Sequence, residues 1–409
     1  MAMKKFVCDH PWTHFEVNNP NGDVTMCCDN NTVLGNINRN SIPEIWNGPG
    51  YQDMRRRMRD EGAHAFCPHA CPILNGGKIH QQIDWQDEMA PESPARRNAE
   101  ENIKEYRSGA LALASLPRFM RFTYSYLCNL DCYHCYQRED AVQELKLPET
   151  FMREIEDMAP IFQVVYAFGG EPFLFKPVLR FIETIKTDPQ CRYFFATNAT
   201  ILTEPIMATL RRRNIGLMSA SLDAADSETF QELRVRGRTG DWNEVMANLK
   251  KLRDLKREKG FPFTLSLTLN TRNHDQIETF VRLALDFDAE PLIFLVTNPY
   301  QTLGFQKDFL SFGDNQFKTM FAQIERSIPE VRARGFADSL SSLEALDVAL
   351  RRHRAADNNL AYYTGKKIAR TVFRQLPEAL QRPIKSAVQT ARRRRGAKTT
   401  VAGKNPTEQ

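Results

Sequence analysis

Residues 128–135 read CNLDCYHC, three cysteines in eight positions. A structural zinc ion takes four ligands and a disulfide framework an even number of thiols, so three suits neither. Three thiolates spaced C-x3-C-x2-C on a loop can converge on one small object and leave a coordination position open. Iron–sulfur clusters are held by cysteine thiolates, four of them for a four-iron cluster, so three would leave one iron for an outside ligand. At this point a zinc knuckle completed by His134 or another residue competes with that reading.

The front of the chain holds a second set. Cys8 is followed by thirteen residues, Gly22, four more residues and Cys27, with Cys28 beside it; Cys67-x3-Cys71 comes after a gap. Four cysteines also make a normal structural zinc set, so zinc is the alternative here too. His10, His14, His64, His69 and His80 crowd the same region. With four thiols available they read as surface groups or as partners of the ligands. Cys191 reads as a small buried hydrophobe.

Elements that could position these groups begin near residue 118. Runs rich in β-branched and aromatic residues, at 118–126, 162–168, 192–197, 216–223, 263–270 and 291–297, predict six strands. Between them lie amphipathic stripes at helical spacing. One carries Trp242, Val245, Met246, Leu249, Leu252 and Leu255; another carries Ile277, Phe280, Val281, Ala284 and Phe287. Strands alternating with helices imply an α/β fold with a parallel sheet, either doubly wound or an incomplete barrel. The cysteine loop directly follows the first of these strands, where such folds place their reactive groups.

The expected organisation is an irregular, cysteine-rich domain over 1–80, a polar connector over 81–117 and the α/β core over 118–300. A helical C-terminal region over 301–385 and a basic, disordered tail over 386–409 complete it. The tail holds six basic residues against one acid, which accounts for the whole formal charge of +5. Its RRRR run therefore reads as a solvated face, and nucleic acid is not the expected partner. No apolar run approaches the ~18 residues of a membrane span. The start, MAMKKFVCDHPW, lacks the apolar segment of a secretory signal. A cytoplasmic location, where thiols stay reduced, is the expectation.

CNLDCYHCY after a strand, FGGEP (168–172) after the next, and TNAT (197–200), SASLDA (219–224) and LRVRG (233–237) in series together resemble the radical S-adenosylmethionine (SAM) superfamily over residues 118–297. The resemblance implies a partial (β/α)6 barrel. It also implies a four-iron cluster on Cys128, Cys132 and Cys135, whose open iron is chelated by the methionine part of SAM. His134 is then a packing residue. By family position, Gly169, Gly170, Glu171 and Pro172 approach the cofactor, with Glu171 or neighbouring carbonyls accepting from its ammonium group. Arg234, or else Arg236, faces its carboxylate, and Asn198 and Ser221 serve the carboxylate and ribose.

The front region, with its GNI and IWN landmarks, resembles the SPASM/twitch auxiliary-cluster domain in its one-cluster form. The implied ligands are Cys8, Cys27 (or Cys28), Cys67 and Cys71. In that family the domain usually follows the barrel; here it precedes it, an order that still allows it to cover the same mouth. The implied activity is reductive cleavage of SAM to a 5′-deoxyadenosyl radical that takes hydrogen from an unactivated carbon. A flavodoxin- or ferredoxin-like donor would supply the electron. Oxidation or cross-linking of a peptide side chain is the expected outcome. The alternatives are dehydrogenation of a sugar or cyclitol alcohol, RNA modification, or a non-catalytic metal-binding or electron-transfer role. No separate leader-peptide-binding segment is read in the chain, which weighs against a ribosomal peptide.

Overall fold

The computed structural model describes residues 7–19, 21–27, 30, 32–67, 89–135, 137, 147–235, 240–295 and 310–355. The chain divides into two compact units, Met1–Asp347 and Val348–Gln409. Of the second, the described residues 348–355 are helical. The basic tail at 386–409 lies outside the described residues, as do Cys28, Cys71, His69, His80 and Arg236.

The front of the first unit runs α1 (His10–Thr13), β1 (His14–Val17), β2 (Asp23–Thr25), β3 (Gly35–Asn36), α2 (Ile42–Trp46) and α3 (Pro49–Asp60). Ser41 and Glu44 close a reciprocal capping box that starts α2. A connecting helix, α4 (Pro94–Ser108), starts at a Ser93 cap followed by proline and ends at Gly109 in the left-handed region. It clamps the front: Asn102 donates to the Trp12 carbonyl and to Ser115. Arg55, buried under the Trp46 ring, donates to the carbonyls of Pro11 and Leu111.

The core follows as β4 (Phe119–Ser125), α5 (Glu149–Met158), β5 (Val164–Gly169), α6 (Lys176–Thr184), β6 (Arg192–Thr197), α7 (Glu204–Arg212) and β7 (Ile215–Ser221). It continues through α8 (Ser227–Phe230), a π-helical turn (Gln231–Val235), α9 (Trp242–Lys259), β8 (Phe263–Leu269), α10 (Ile277–Asp286), β9 (Glu290–Leu295) and α11 (Asp314–Ala333). All six predicted strands are present, as are the helices predicted from the Trp242 and Ile277 stripes.

Strands β4 to β9 are parallel and adjacent in chain order. A doubly wound sheet reverses its order at a switch point. This one does not, and its winding is that of a barrel wall. Strand alternation gives the wall two faces. Phe122 and Tyr124 of β4 pack against Phe151 of α5 and Phe181 of α6. On the other face Arg121 lies over the rings of Tyr166 and Phe168, and Phe194 meets Phe119 and Tyr166. Residues on this inner face stay part-exposed along β6 and β7, in the pattern iBiBiB for β6.

The front region does not stand apart from this sheet. β1 pairs in parallel with β4, placing Glu16 opposite Arg121, and β2 and β3 extend the edge antiparallel. Glu16 and Arg121 form a buried ion pair at 3.2 Å. Periodicity could not show this, because β1 is four residues long and buried throughout. No helix among the described residues is long and apolar enough to cross a membrane.

Candidate metal and cofactor site

The loop after β4 carries Cys128, Cys132 and Cys135, all part-exposed. Two neighbours pin its backbone. The N–H groups of Asp131 and Tyr133 donate to the carbonyls of Arg234 and Leu233 in the π-helical turn. The Glu171 N–H donates to the Leu127 carbonyl, at 2.8 Å. A β-carbon on Gly170 would lie 1.9 Å from the Leu127 carbonyl oxygen, and one on Gly169 (φ +126°) 2.2 Å from that of Ser125. The glycines of the GGEP turn therefore let that turn press on the cluster loop.

Three ionisable side chains meet at the loop. Arg234 Nη1 donates to Asp223 Oδ2 at 2.8 Å, and His134 Nε2 lies 3.2 Å from the same oxygen. Asp223 Oδ1 accepts from the Thr268 N–H. Burial alone would raise the Asp223 carboxyl, but His134 and Arg234 outweigh it and hold the group well below the usual carboxylate range. Asp223 itself sits at φ +56°, a conformation that Asp tolerates better than most residues. Sequence reading singled out Ser221 in SASLDA and missed Asp223; an acid just past a strand end, facing a basic motif, was the signal.

Glu171 is 1% exposed. Its oxygens accept from Thr197 Oγ1, the Asn198 N–H and the Phe173 N–H. The side chain thus organises the turn, and an ammonium group at this turn would meet backbone carbonyls. Pro172 is buried behind it. Asn198 is buried with Nδ2 3.6 Å from the Cys128 sulfur and 3.0 Å from Asn129 Oδ1. Ser221, part-exposed at the end of β7, accepts from the Ser266 hydroxyl at 3.3 Å.

Burial pushes the Glu171 carboxyl up to about 7 from its usual 4.5, against the three donors that pull it down. In an unfolded chain the group ionises near 4.5, so between pH 4.5 and 7 the folded state holds a proton that the unfolded state has lost. Stability from this group is therefore greatest below pH 4.5, falls as pH rises, and levels off above 7. The expected loss is about 3 kcal/mol, from 1.36 kcal/mol per pKa unit. Thermal midpoints of the wild type should fall across that window relative to those of Glu171→Gln, and parallel midpoint curves would refute the assignment.

Buried polar atoms without a hydrogen-bond partner mark where a bound group would fit. Among the described residues at this end of the sheet they are Thr123 Oγ1, His134 Nδ1 and Arg234 Nε. Such atoms are rare in folded proteins. The thiol sulfurs of Cys128, Cys132 and Cys135 do not all lie within 4.8 Å of one another, among the described residues, as ligands ready for one shared ion would. Burial pushes the Cys132 thiol up to about 12, with Arg234 pulling the other way, so metal binding must displace its proton. Three thiols on one loop, a buried guanidinium and orphaned donors suit an iron–sulfur cluster with an anionic organic ligand beside it.

The front cysteines lie elsewhere. Cys8 precedes α1, which feeds the start of β1, and its N–H donates to the sulfur of Met58 in α3. Cys27 follows β2, whose antiparallel register carries it back toward His14. His14 is level with Phe119, the first residue of β4. Cys8 and Cys27 therefore sit at the N-terminal ends of the parallel strands, and the 128–135 loop at the C-terminal ends. About 20 Å of strand separates the two levels. Among the described residues, the Asn18 carbonyl at the end of β1 accepts from the Tyr126 hydroxyl just before the loop, so the β1–β2 turn reaches the loop's end of β4 while Cys8 and Cys27 lie at the other end. Cys67 follows α3, at the end where Met58 meets Cys8. His10 and His14 are buried rather than on the surface, their rings stacked at 3.7 Å. The ligand atoms of Cys8, Asp9 and His10 lie within 4.8 Å of one another.

Residues 122–284 match the model of the radical SAM superfamily, and residues 8–72 match SPASM, an iron–sulfur cluster-binding domain. Among curated proteins the chain is 30% identical to an AdoMet-dependent heme synthase from Methanosarcina barkeri, over 44% of this chain and 50% of that one. It is 25% identical to the mycofactocin maturase MftC from Mycolicibacterium smegmatis, over 42% and 43%. The chain thus spans about half the length of the curated relatives it matches. Among solved structures, SuiB from Streptococcus suis bound to S-adenosylmethionine aligns at 16% identity and TM-score 0.40, covering 58% of this chain and 54% of that one.

Proposed function

We propose that the chain, which carries a radical SAM domain and an N-terminal SPASM domain, is an enzyme of the radical SAM class in which Cys128, Cys132 and Cys135 hold a SAM-binding four-iron cluster. Cys8, Cys27, Cys67 and Cys71 are proposed to hold the auxiliary cluster. The bound cluster and cofactor supply reductive cleavage and a carbon radical able to take hydrogen from an unactivated C–H bond.

The chain's own residues bind and orient. Arg234, fixed on Asp223, presents a permanently charged fork to a carboxylate, with Nε still to be satisfied. Carbonyls of the Gly169–Gly170 turn accept from an ammonium group, and Ser221 from a ribose hydroxyl. The inner sheet face, lined by Tyr166, Phe168, Phe194 and Arg121, leads from that end toward the front cysteines. A substrate there would lie between the 128–135 loop and the front cysteines; a cluster held by the front cysteines would supply an acceptor for the electron that a substrate radical gives up on becoming product, or a site for a substrate heteroatom.

The proposed substrate is a peptide or protein side chain, oxidised or cross-linked. The SPASM domain and the likeness to a maturase, MftC, support that reading. The electron is proposed to come from a flavodoxin- or ferredoxin-like donor in the cytoplasm. The observation that carries the enzyme reading is the three-thiol loop seated on the Asp223–Arg234 pair.

The test is anaerobic reconstitution with iron and sulfide, followed by reduction with SAM present. About eight irons per chain and released deoxyadenosine are expected. Bound zinc without cleavage would overturn the reading. Short peptides encoded beside the gene should lose two hydrogens on turnover. Loss of hydrogen from a sugar alcohol instead would move the substrate to small molecules.

A further inference from the structure

We propose that Asn198 is a positioning residue for the redox centre rather than a ligand of SAM. Its side-chain amide donates to the sulfur of Cys128 and raises the reduction potential of the cluster on the 128–135 loop. The inference rests on the assignment of that cluster to Cys128, Cys132 and Cys135.

The orientation of the amide is set by its neighbours. Asn198 Oδ1 accepts from the Thr200 N–H at 3.0 Å and from the Thr200 hydroxyl at 2.6 Å. A backbone N–H can only donate, so the oxygen must face it and Nδ2 must face the other way. That nitrogen has two hydrogens. One is directed at Cys128 Sγ, 3.6 Å away, and the other at Asn129 Oδ1, 3.0 Å away. Neither is left for a carboxylate.

The surroundings hold this geometry firmly. The Asn198 N–H donates to Glu171 Oε2 at 2.7 Å. Asn129 Nδ2 donates to the Thr200 hydroxyl at 2.8 Å, which closes the ring of contacts. Ala199 sits at φ +58°, and its carbonyl accepts from Asn248 Nδ2 in α9. Asn198 is 4% exposed, so water competes little for the sulfur. The Leu130 N–H, 3.5 Å from the same sulfur, is a backbone donor working in the same sense.

The physical consequence follows from charge. Adding an electron makes the cluster and its thiolates more negative, and a donor aimed at a ligand sulfur stabilises the more negative form. Hydrogen bonds to the sulfurs are among the factors that set cluster potentials. The GGEP glutamate thus reaches the cluster indirectly: Glu171 holds Asn198, and Asn198 holds Cys128.

The test compares reconstituted full-length wild type with Asn198→Ala, following the reduced cluster by electron paramagnetic resonance at fixed potentials. The SAM-responsive signal identifies the relevant cluster. In Asn198→Ala that cluster should be about tenfold less reduced at a given potential, equivalent to ~59 mV for one electron. Its SAM dissociation constant should stay within about twofold of wild type. An unshifted potential overturns the proposal, whether or not SAM binding weakens. Wild type carrying side-chain 15N asparagine gives a measurement independent of the variant's folding: a 15N coupling on the reduced, SAM-responsive cluster is expected, and its absence overturns the proposal. A wild type with no SAM-responsive signal overturns the cluster assignment itself, and this inference with it.

Discussion

Replacing Cys132 by alanine should abolish deoxyadenosine release while leaving the auxiliary cluster in place. Iron should fall from about eight to about four atoms per chain. No side chain can supply the electron-transfer chemistry that is lost, so SAM cleavage should drop at least about a thousandfold, a barrier increase of roughly 4 kcal/mol or more. Cys132 is the middle one of the three proposed ligands, its carbonyl accepting from the Cys135 N–H in the tight end of the loop. Cys8 and Cys27 lie at the opposite ends of the strands, so a cluster held by the front cysteines should keep its spectrum. Cleavage persisting above one-tenth of wild type would mean that Cys132 is not a ligand. Loss of all iron would mean that the two centres are not independent.

Gly170→Ala should do comparable damage without touching a ligand. The added β-carbon would sit 1.9 Å from the Leu127 oxygen and 2.5 Å from its carbonyl carbon, both backbone atoms. The turn and the loop would have to part, breaking the Glu171 N–H to Leu127 bond. A cost of about 3 kcal/mol or more is expected, at the top of the range for overpacking. Because Cys128 follows Leu127 directly, the SAM cluster should also be lost or displaced. Gly260→Ala is the control: it has φ +76° but nothing within 4 Å of the new atom. Its cost should be only the left-handed strain of about 1–2 kcal/mol. Thermal midpoints and iron content on the two variants decide the matter, and equal effects would remove the close approach from the account.

Much of the protein was legible in its sequence. Six strands and their intervening helices follow from β-branched runs and apolar stripes, because burial on a strand or helix imposes a period that survives in the residue pattern. The place of Cys128, Cys132 and Cys135 on a loop after a strand was legible because it needs only local spacing. The order of a cluster-binding front domain before the core was legible for the same reason.

Contacts between distant segments were not. β1, β2 and β3 are too short to show a period, yet hydrogen bonding at the edge of β4 builds them into the core sheet. That pairing places Cys8 and Cys27 at the far ends of the strands and buries His10 and His14. His134 is far in the chain from Asp223 and Arg234, and a left-handed bend after β7 brings the acid under the loop. Gly169 and Gly170 read as room for a ligand; their neighbours turned out to be the carbonyls of Ser125 and Leu127. Asn198 read as a cofactor contact, and only the fold shows its amide nitrogen directed at Cys128 and Asn129. The chain's local chemistry chose the ligands and elements, while register and packing chose which partner each group finally meets.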